Sequence, residues 1–352
     1  MPSDTGFTRN KQEKPDWYQA TAKYEKPDLR KAIWQILDTF IPYFALWAVM
    51  IYTVVSGFSY WVTFALALVA SVLLVRIFIF FHDCCHGSFF ASSQWNRVLG
   101  YVFGILTFTP YEDWRRSHAI HHSTVGDLDR RGMGDVSLLT VDEYLASSGR
   151  KRLAYRIYRN PLVMFGFGPA FMFLLRFRLS SKGARKHERK SVIVTNLAII
   201  AIIAVASFTI GVKTYVLIQL PVILIAGAIG LWLFYIQHDF EGVYWARHED
   251  WEQMRASLEG CSYYKLPGIP NWISGNIGLH HIHHVRPRIP NYNLHQCYDE
   301  TPALQEIIPL TFCKSLKTPW LNLWDEKKSK LVSFRSLKTH QPQSTYVRKN
   351  SN

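Results

Sequence analysis

The sequence has 352 residues, of which 49% are hydrophobic and only 19% are charged, whereas a typical soluble domain has roughly 25% charged residues. Three long segments contain no Asp, Glu, Lys or Arg: 37 residues from Thr39 to Val75, 22 from Ser191 to Val212 and 24 from Thr214 to Gln237. Since about 20 predominantly apolar residues cross a bilayer as a helix, the composition excludes a soluble enzyme and a peripheral protein with one anchor. It predicts an all-α, polytopic membrane protein.

The chain begins with a hydrophilic arm, residues 1–38, which lacks the apolar core of a cleavable signal peptide. Two transmembrane hairpins are predicted, residues 39–81 and residues 191–237. The four predicted spans are Thr39–Val55, Tyr60–Phe81, Ser191–Gly211 and Tyr215–Tyr235. The turns inside both hairpins are nearly uncharged, as is typical of the outer face of a membrane, so both termini are predicted to be cytosolic.

Residues 82–190, between the hairpins, form a predicted cytosolic region. It contains two apolar segments, Val98–Tyr111 and Pro161–Leu175, that are too short to cross and are predicted to be re-entrant or interfacial. From Arg150 to Lys190 there are twelve Lys or Arg residues and one acid, Glu188, so this stretch carries +11 of the net charge of +14. Basic clusters beside spans are typical of the cytosolic face. Because no nucleic-acid-binding motif accompanies these charges, nucleic acid is not predicted as a partner.

Residues 238–338 are mixed in composition and are predicted to form a second cytosolic region, followed by a polar tail, residues 339–352, that is expected to be disordered. Together the two cytosolic regions are predicted to form a helical cap over the spans. The cysteines show no CxxC spacing and are predicted to be reduced: Cys84, Cys85, Cys261, Cys297 and Cys313.

Histidine provides the main chemical signal, because most of the 14 histidines fall in short clusters. The first cluster, His82–His86, follows the second predicted span, the second is His118–His122, and the third is His280–His284. A further residue, His238, follows the fourth span. On a helix, spacings of i, i+3 and i+4 place side chains on one face, so each cluster can direct two or three imidazoles to one point. An even number of predicted crossings separates the clusters, which places them all at the cytosolic face.

Nine imidazoles exceed the ligand set of one zinc ion, which binds about four ligands. The HExxH pattern of zinc proteases does not occur in the sequence. Two metal ions with about five or six ligands each, completed by solvent or dioxygen, fit the number of histidines better. Neutral imidazole suits Zn, Cu, Fe and Ni, and two adjacent ions in a water-excluded pocket indicate dioxygen chemistry and favour iron.

These motifs resemble those of the integral-membrane fatty acid desaturases. The clusters HDCCH, HAIHH and HHIHH, with Gln237 and His238 ahead of the third, are typical of that superfamily. The three residues between the histidines of the first cluster fit acyl-lipid desaturases better than acyl-CoA desaturases. From about Asn10 to Phe334, further segments are similar to the Bacillus acyl-lipid Δ5 desaturases: Arg76–His86, Asp127–Asp135, Leu231–His238, Gly275–His284 and Pro290–Tyr292.

The resemblance implies an oxidoreductase of the bacterial cell membrane that introduces a cis double bond, with Δ5 favoured, into saturated phospholipid acyl chains. It implies two iron ions (Fe2+/Fe3+), with O2 as co-substrate and no catalytic side chain beyond the metal centre. An acid–base side chain alone cannot activate an unactivated methylene, so a metal–oxygen oxidant is required. The implied iron ligands are His82, His86, His118, His121, His122, His238, His280, His283 and His284.

Several other residues receive predicted roles. His281 falls outside the i, i+3, i+4 set and is predicted not to bind metal. The predicted surface histidines are His187, His248, His295 and His340. The candidates to accept the second N–H of a ligating imidazole are Asp83, Asp239, Asp127 and Asn276. Arg76 is expected to snorkel to the cytosolic interface, and Trp232 and Tyr235 are expected to pack or to face lipid rather than to line an acyl tunnel.

Each double bond also requires two electrons, yet the sequence has no flavin or dinucleotide fingerprint and no His-Pro-Gly-Gly haem signature. A separate electron donor is therefore predicted, and the resemblance suggests ferredoxin or flavodoxin, both of which are acidic. The basic stretch at residues 150–190 offers such a donor a complementary surface. Lipid headgroups explain the same charges equally well.

Three alternatives stay open at the level of sequence. A membrane hydroxylase or ketolase would use the same histidine clusters, and a desaturase of other regioselectivity (Δ9, Δ10 or Δ12) would share every motif. A histidine-rich membrane metal transporter is the alternative of another class, although transport sites lie near the bilayer midplane and these clusters lie at the ends of spans. The double-bond position, the chain-length preference, the donor and the oligomeric state are not fixed by the sequence.

Overall fold

The computed structural model of the chain describes residues 14–339, so the start of the arm and the predicted tail from residue 340 lie outside the described residues. The α-helices are α1 (Asp16–Ala20), α2 (Leu29–Val55), α3 (Tyr60–His86), α4 (Ser93–Leu106), α5 (Tyr111–Thr124), α6 (Val141–Ala146), α7 (Gly149–Tyr158), α8 (Lys186–Thr209), α9 (Val212–His238), α10 (Gln253–Glu259), α11 (Gly268–Ile273), α12 (His280–Val285), α13 (Asn291–Asp299) and α14 (Phe312–Ser315). Two π-helical segments are Leu162–Phe167 and Ala170–Leu175, and short 3₁₀ segments are Thr21–Glu25, Arg176–Arg178, His248–Asp250, Pro302–Leu304, Thr318–Trp320 and Phe334–Thr339.

Four of these helices are long and apolar enough to cross a membrane: α2, α3, α8 and α9, with 27, 27, 24 and 27 residues. At about 1.5 Å per residue they are roughly 36–40 Å long, which exceeds the hydrocarbon core of about 30 Å. They overlap the four predicted spans, and the polytopic, mainly α-helical fold class is confirmed.

The helices are longer than the predicted spans at the side of the histidine clusters. The helix α2 begins ten residues before Thr39, because the Asp28 carboxylate accepts hydrogen bonds from the backbone N–H groups of Arg30 and Lys31 and so caps the first turn. The helix α3 continues past Phe81 to the end of the first histidine cluster. The membrane helices thus carry their polar ends directly into the site.

The helix α3 lies at the centre of the bundle and packs against α2, α4 and α9. Its Ala67 and Ala70 have no exposed surface, and small side chains allow neighbouring helices to approach closely. Nearer the site, Phe80 and Phe81 are fully buried and belong to the main hydrophobic core. The half of α3 that leads to the first histidine cluster, from Ala70 to Cys85, is therefore almost entirely buried.

Arg76 does not snorkel to the interface as predicted, because its side chain is only 2% exposed. Its Nε donates to the Thr39 hydroxyl at 3.0 Å, and its guanidinium donates to the carbonyl of Trp272 and lies 3.7 Å from the Asp38 carboxylate. The prediction was wrong because the sequence does not reveal that α2 and α11 cover this side of α3.

Two segments outside the four long helices were predicted to lie at the interface. The first is α4, which has 14 residues and is too short to cross; it ends before Tyr111, which begins α5. The second contains the two π-helical segments, and it meets α7 at a bend of 61°. Taken as one unit, this bent pair would pass as a fifth span by length and composition, and the bend is of the kind that a re-entrant segment requires.

A small three-stranded sheet was not predicted. Strand β1 (Leu139–Thr140) pairs in parallel with β2 (Leu323–Asp325), which pairs antiparallel with β3 (Lys330–Val332). The strands have two or three residues each, too few for an alternating pattern to be recognised in the sequence. The sheet joins the end of the described chain to the segment that follows the second histidine cluster.

Candidate metal centre

All the histidine clusters lie on helices, as their spacing predicts. His82 and His86 occupy the end of α3, which terminates at Gly87 with a φ of 67°, a left-handed conformation that glycine adopts without strain. The second cluster lies on α5, the third lies on α12, and His238 is the last residue of α9. Each helix therefore presents its i, i+3 or i+4 imidazoles on one face.

The nine predicted ligands come together in two groups. We refer to them as the five-histidine group (His82, His86, His118, His122 and His283) and the four-histidine group (His121, His238, His280 and His284). Within each group, one nitrogen from every residue lies within 4.8 Å of the others, so each group could hold a metal ion. The two groups adjoin, since the rings of His122 and His284 stack with their centroids 4.0 Å apart.

The spacing of the nitrogens fits bound cations. Three pairs of facing Nε2 atoms lie 3.0 Å apart: His121–His238, His238–His280 and His122–His283. Two nitrogens at about 2.1 Å from one ion, at right angles to each other, stand about 3 Å apart. Both ring nitrogens of His284 and Nε2 of His86 are buried without a hydrogen-bond partner among the described residues. Because an unsatisfied buried polar atom is costly, these lone pairs are suited to a metal.

The protonation state of the site histidines is also suited to metal binding. Burial lowers the pKa of the site histidines outside the membrane helices well below its ordinary value, and the neighbouring imidazoles lower it further: His118, His122, His280, His283 and His284. Only the neutral imidazole has a lone pair for a metal. These five side chains are therefore ready to bind an ion at neutral pH without first losing a proton.

Each group has one imidazole in contact with a carboxylate. Oδ1 of Asp83 lies 3.3 Å from Nδ1 of His82, and the Asp135 carboxylate contacts Nδ1 of His121. In the four-histidine group, Nδ1 of His238 also lies 3.2 Å from the carbonyl of Gly260. Such acceptors hold the proton on Nδ1 and orient the ring, so that Nε2 is left free for an ion.

The carboxylate of Asp83 is itself held in place. Its Oδ2 accepts hydrogen bonds from the backbone N–H of Asn291 at 2.7 Å and from the Asn291 side-chain amide at 2.9 Å. The side-chain oxygen of Asn291 in turn accepts from Gln35 of α2 at 2.9 Å. A chain of buried polar groups thus joins α2 and the start of α13 to the first histidine cluster.

Of the four predicted hydrogen-bond partners, only Asp83 contacts an imidazole of the two groups. Asp127 lies 2.8 Å from His248, and Asp239 pairs at 3.1 Å with the buried Arg159. Asn276 donates to the carbonyl of Asn291 at 3.0 Å and contacts the site only through that residue. The prediction was wrong for these three residues because proximity in sequence to a histidine does not determine the direction of a side chain.

Asp135 was not predicted, although it ends the segment Asp127–Asp135 that resembles known desaturases. The loop that carries it turns back at Gly132 and Gly134, which have φ values of 120° and 82°. A Cβ at Gly134 would lie 2.9 Å from the Ser117 carbonyl and 3.0 Å from the Cβ of His121. This glycine therefore permits the loop to approach α5 closely, and the GMGD pattern was the available signal.

The remaining histidines lie outside both groups. The buried His281 has Nε2 3.1 Å from the carbonyl of Leu304 and belongs to neither group. Three predicted surface histidines are at least partly exposed and lie near acids: His187 near Glu188, His248 near Asp127 and His295 near Asp299. His340 lies outside the described residues.

Trp232 and Tyr235 pack within the protein. The buried Tyr235 hydroxyl accepts from Arg159 and donates to the carbonyl of Thr318, each at 3.0 Å, and Trp232 packs edge-to-face on Phe165. A cavity of about 10 Å³ adjoins His238 of the four-histidine group, with room for about one water-sized molecule. Its lining residues are Val125, Asp135, Val136, Phe234, His238, Asp239 and Trp245.

Comparison with known proteins agrees with this geometry. A sequence model of the fatty acid desaturase family matches residues 58–310. The chain is 45% identical to a fatty acid desaturase of Bacillus subtilis, over 90% of each chain. It is 25% identical to an sn-1 acyl-lipid omega-3 desaturase (ferredoxin) of Nostoc, over 78% of this chain and 77% of that one. It is 28% identical to a chloroplastic sn-2 acyl-lipid omega-3 desaturase (ferredoxin) of Arabidopsis thaliana, over 70% of this chain and 57% of that one. The chain therefore belongs to the fatty acid desaturase family of membrane-embedded, oxygen-dependent oxidoreductases that act on lipid acyl chains.

Proposed function

We propose that this desaturase binds two iron ions and introduces a cis double bond at Δ5 into saturated acyl chains of membrane phospholipids. The observation that supports a two-metal centre is the separation of nine imidazoles into two adjoining groups of five and four. The proposed ligands are the members of these two groups. The Δ5 position rests on the resemblance of the whole chain to the Bacillus acyl-lipid enzymes.

Iron bound at the two groups would supply, with O2, the oxidant that an unactivated methylene requires. The side chains of this protein position and tune that centre. Asp83 and Asp135 keep the proton on Nδ1 of His82 and His121, so that each ring presents Nε2. Burial of the imidazoles would limit the access of water to the bound ions.

The two groups are proposed to have different tasks. The four-histidine group has one protein ligand fewer and adjoins the small cavity, whose walls are mainly apolar. The cavity has room for about one water-sized molecule, and Phe234 lies against both His121 and His238, with ring centroids 5.2 and 5.5 Å away. We assign the access of O2 to the side of the four-histidine group. The ion of the five-histidine group would have more of its ligands from the protein.

Ferredoxin or flavodoxin is the proposed electron donor. Two of the similar desaturases carry ferredoxin in their names, and the net charge of +14 favours an acidic partner. The donor has to reach the face on which the histidine clusters lie, because electrons are needed there. A direct test is turnover of the purified protein with reduced ferredoxin or reduced flavodoxin as the sole electron source.

The proposed location is the bacterial cell membrane, with both termini and the metal centre on the cytosolic side. In this arrangement residues 1–38, 82–190 and 238–338 lie at or beyond the inner surface, and residues 39–81 and 191–237 form the two hairpins. Labelling of an introduced cysteine in the turn at Ser56–Ser59 by a membrane-impermeant reagent in intact cells tests this orientation, since that turn is expected outside.

The decisive experiment for the function is analysis of fatty acid methyl esters, with derivatisation of the double bond, from bacteria that express the chain. The matched control is His121→Ala, which removes one proposed ligand. A new cis-Δ5 monounsaturated phospholipid chain that is absent in the control is the expected result. A double bond at another position, such as omega-3, would contradict Δ5 but not desaturation, and purified protein with zinc in place of two irons would contradict the diiron proposal.

A further inference from the structure

The segment between the fourth long helix and the end of the chain exposes large apolar side chains that are not part of any span. They lie in the predicted cytosolic region 238–338, and their exposed fractions range from 39% to 82%: Ile269, Trp272, Ile308, Phe312, Leu316 and Trp320. We call this set the C-terminal apolar surface. Exposed apolar surface of this kind marks sites of interaction with a membrane or with another protein.

We propose that the C-terminal apolar surface is a membrane-binding surface that inserts into the same leaflet that surrounds the ends of the four long helices. The occupant is the lipid bilayer rather than water or a protein partner. Part of region 238–338 then lies in one leaflet of the membrane without crossing it, and only the rest of the region forms a cytosolic cap. This inference rests on the four membrane helices and does not depend on the proposed iron centre or on Δ5.

The first argument is depth. About 20 residues of helix cross the hydrocarbon core, and counting from Tyr60 at the start of α3 brings that boundary to about Ile79. Arg76 lies before this boundary, and its guanidinium donates to the carbonyl of Trp272 and stacks 4.1 Å above the Trp272 ring. A Cβ at Gly275 would lie 2.7 Å from the Ile79 side chain, so the backbone after α11 also runs directly against α3 at this level. The helix α11 is thus placed at the depth of lipid.

The same count applies to the second half of the surface. From Val212 at the start of α9, about 20 residues reach Leu231, and Tyr235 lies about 6 Å further on. This distance corresponds to the headgroup layer, which adds about 5–8 Å on each side of the hydrocarbon core. The Tyr235 hydroxyl donates to the carbonyl of Thr318, next to Pro319 and Trp320. The segment that ends at Trp320 therefore lies beside the headgroups, where Trp is enriched.

The second argument is charge. From residue 307 to residue 321 the chain has two lysines, Lys314 and Lys317, and no acid. Both lysines are exposed, and so is Lys265, whose backbone N–H donates to the carbonyl of Leu310 and so joins the two parts of the surface. An apolar face with a lysine rim matches an anionic leaflet, in which the apolar side chains enter the acyl boundary and the cations meet the headgroups.

The membrane-binding surface has a consequence for the site. The helix α11 leads through residues 274–279 directly to α12, which carries the third histidine cluster. A surface that inserts at a defined depth therefore fixes this cluster relative to the leaflet from which the acyl chain comes. The position along the acyl chain that reaches the metal depends on that depth.

The test uses the full chain in phosphatidylcholine–phosphatidylglycerol nanodiscs and one fluorescent label. Four of the five cysteines are buried and only Cys313 is exposed, so Cys313→Ser provides a background for Leu316→Cys. The matched control is Lys327→Cys, in the exposed turn between β2 and β3. A nitroxide on the lipid quenches a label in the bilayer, and iodide quenches a label in water.

The expected result is iodide quenching at residue 316 at least about threefold weaker than at residue 327, with strong quenching by the lipid nitroxide at residue 316 only. Equal iodide quenching at the two positions would overturn the proposal. Protection from iodide without quenching by the lipid nitroxide would also overturn it, because the surface would then be covered by protein, such as a second copy of the chain. An unfolding midpoint in nanodiscs equal to that of the Cys313→Ser background shows that both labelled variants are folded.

Discussion

The two histidine groups differ in the elements from which they are built. The five-histidine group takes four of its members from α3 and α5, which have 27 and 14 residues, and one from α12. The four-histidine group takes one residue each from α5 and α9 and two from α12, a helix of only six residues. Both groups thus combine three helices, but the first contains two i, i+4 pairs, on α3 and α5, whereas the second contains one such pair, on the short α12, and two single residues.

The two carboxylates that contact the groups also differ, because one lies on a helix and the other lies on a loop. Asp83 follows His82 on α3 and is fixed by two hydrogen bonds from Asn291. Asp135 lies on a loop between α5 and β1, and within residues 14–339 its other carboxylate oxygen accepts one long hydrogen bond, of 3.3 Å, from the backbone N–H of Gly132. The five-histidine group therefore has the more firmly held carboxylate and forms the rigid half of the site, whereas the four-histidine group forms the adjustable half. We expect an ion bound by the four-histidine group to be lost first.

Removal of a ligand gives the largest expected effect. We expect both His86→Ala and His280→Ala to abolish desaturation, because the oxidant requires two adjacent ions, and each variant should retain about one of two irons. Elemental analysis of the purified variants, together with fatty acid analysis, measures both. Equal loss of both ions would show that the groups are not separate sites.

The control for this pair is His281→Asn. His281 is buried beside the same cluster, but its Nε2 faces the carbonyl of Leu304 and it belongs to neither group. We expect this variant to keep its iron and its product profile. Loss of iron in His281→Asn would mean that substitution anywhere in α12 disrupts the site, and the comparison of ligands would then carry no information.

Substitution of the supporting carboxylates is the second prediction. Loss of such a partner typically costs 10–100-fold in metal affinity or activity, or about 1.4–2.7 kcal/mol. We expect Asp135→Asn to accelerate loss of one iron to a chelator by about that factor, because this carboxylate contacts Nδ1 of His121. Asp83→Asn should instead affect the ion of the five-histidine group. Identical release kinetics in the two variants would contradict the distinction between a rigid and an adjustable half.

The sequence predicts the helices and the histidine clusters better than it predicts how the histidines separate into two groups. The helices follow from apolar length, and the histidine clusters follow from i, i+3 and i+4 spacing, because these features depend on neighbours along the chain. The full set of nine proposed ligands comes from the resemblance to the desaturases. The separation into five and four could not be predicted, since His121 and His122 are adjacent in sequence but belong to different groups. Their opposite assignment follows from the rotation of α5 relative to α9 and α12.

The contacts that were missed are those between residues distant in sequence. Asp239 was expected to support an imidazole because it follows His238, yet it pairs with Arg159, 80 residues earlier. Arg76 was expected at the interface, yet it binds a carbonyl 196 residues later. In both cases a buried charged side chain requires a polar partner. The sequence indicates that such a partner must exist, but it does not identify the residue.

The third prediction concerns the support of Asp83. Asn291→Ala removes the side-chain donor to Asp83 and the acceptor of Gln35 but keeps the backbone donor. We expect a loss of about 1–3 kcal/mol in the free energy of unfolding, since buried polar groups lose their partners, and a smaller effect on iron than that of Asp83→Asn. Thermal unfolding in detergent and iron analysis measure the two effects. A greater loss of iron than in Asp83→Asn would show that Asn291 acts on the site by another route.

The smallest effect is expected at a third carboxylate–imidazole pair, which lies outside both groups. Asp127 and His248 are 2.8 Å apart, closer than Asp83 and His82, yet His248 is half exposed and Asp127 also binds Arg130. His248→Gln should therefore keep both irons and full activity, and the free energy of unfolding should change by about 1 kcal/mol or less. This variant therefore tests whether contact between a carboxylate and an imidazole is by itself enough to affect iron binding. If His248→Gln lost iron, contact with a carboxylate would not be what distinguishes His82 and His121, and the loop from Asp127 to Asp135 would act as one unit that holds the four-histidine group.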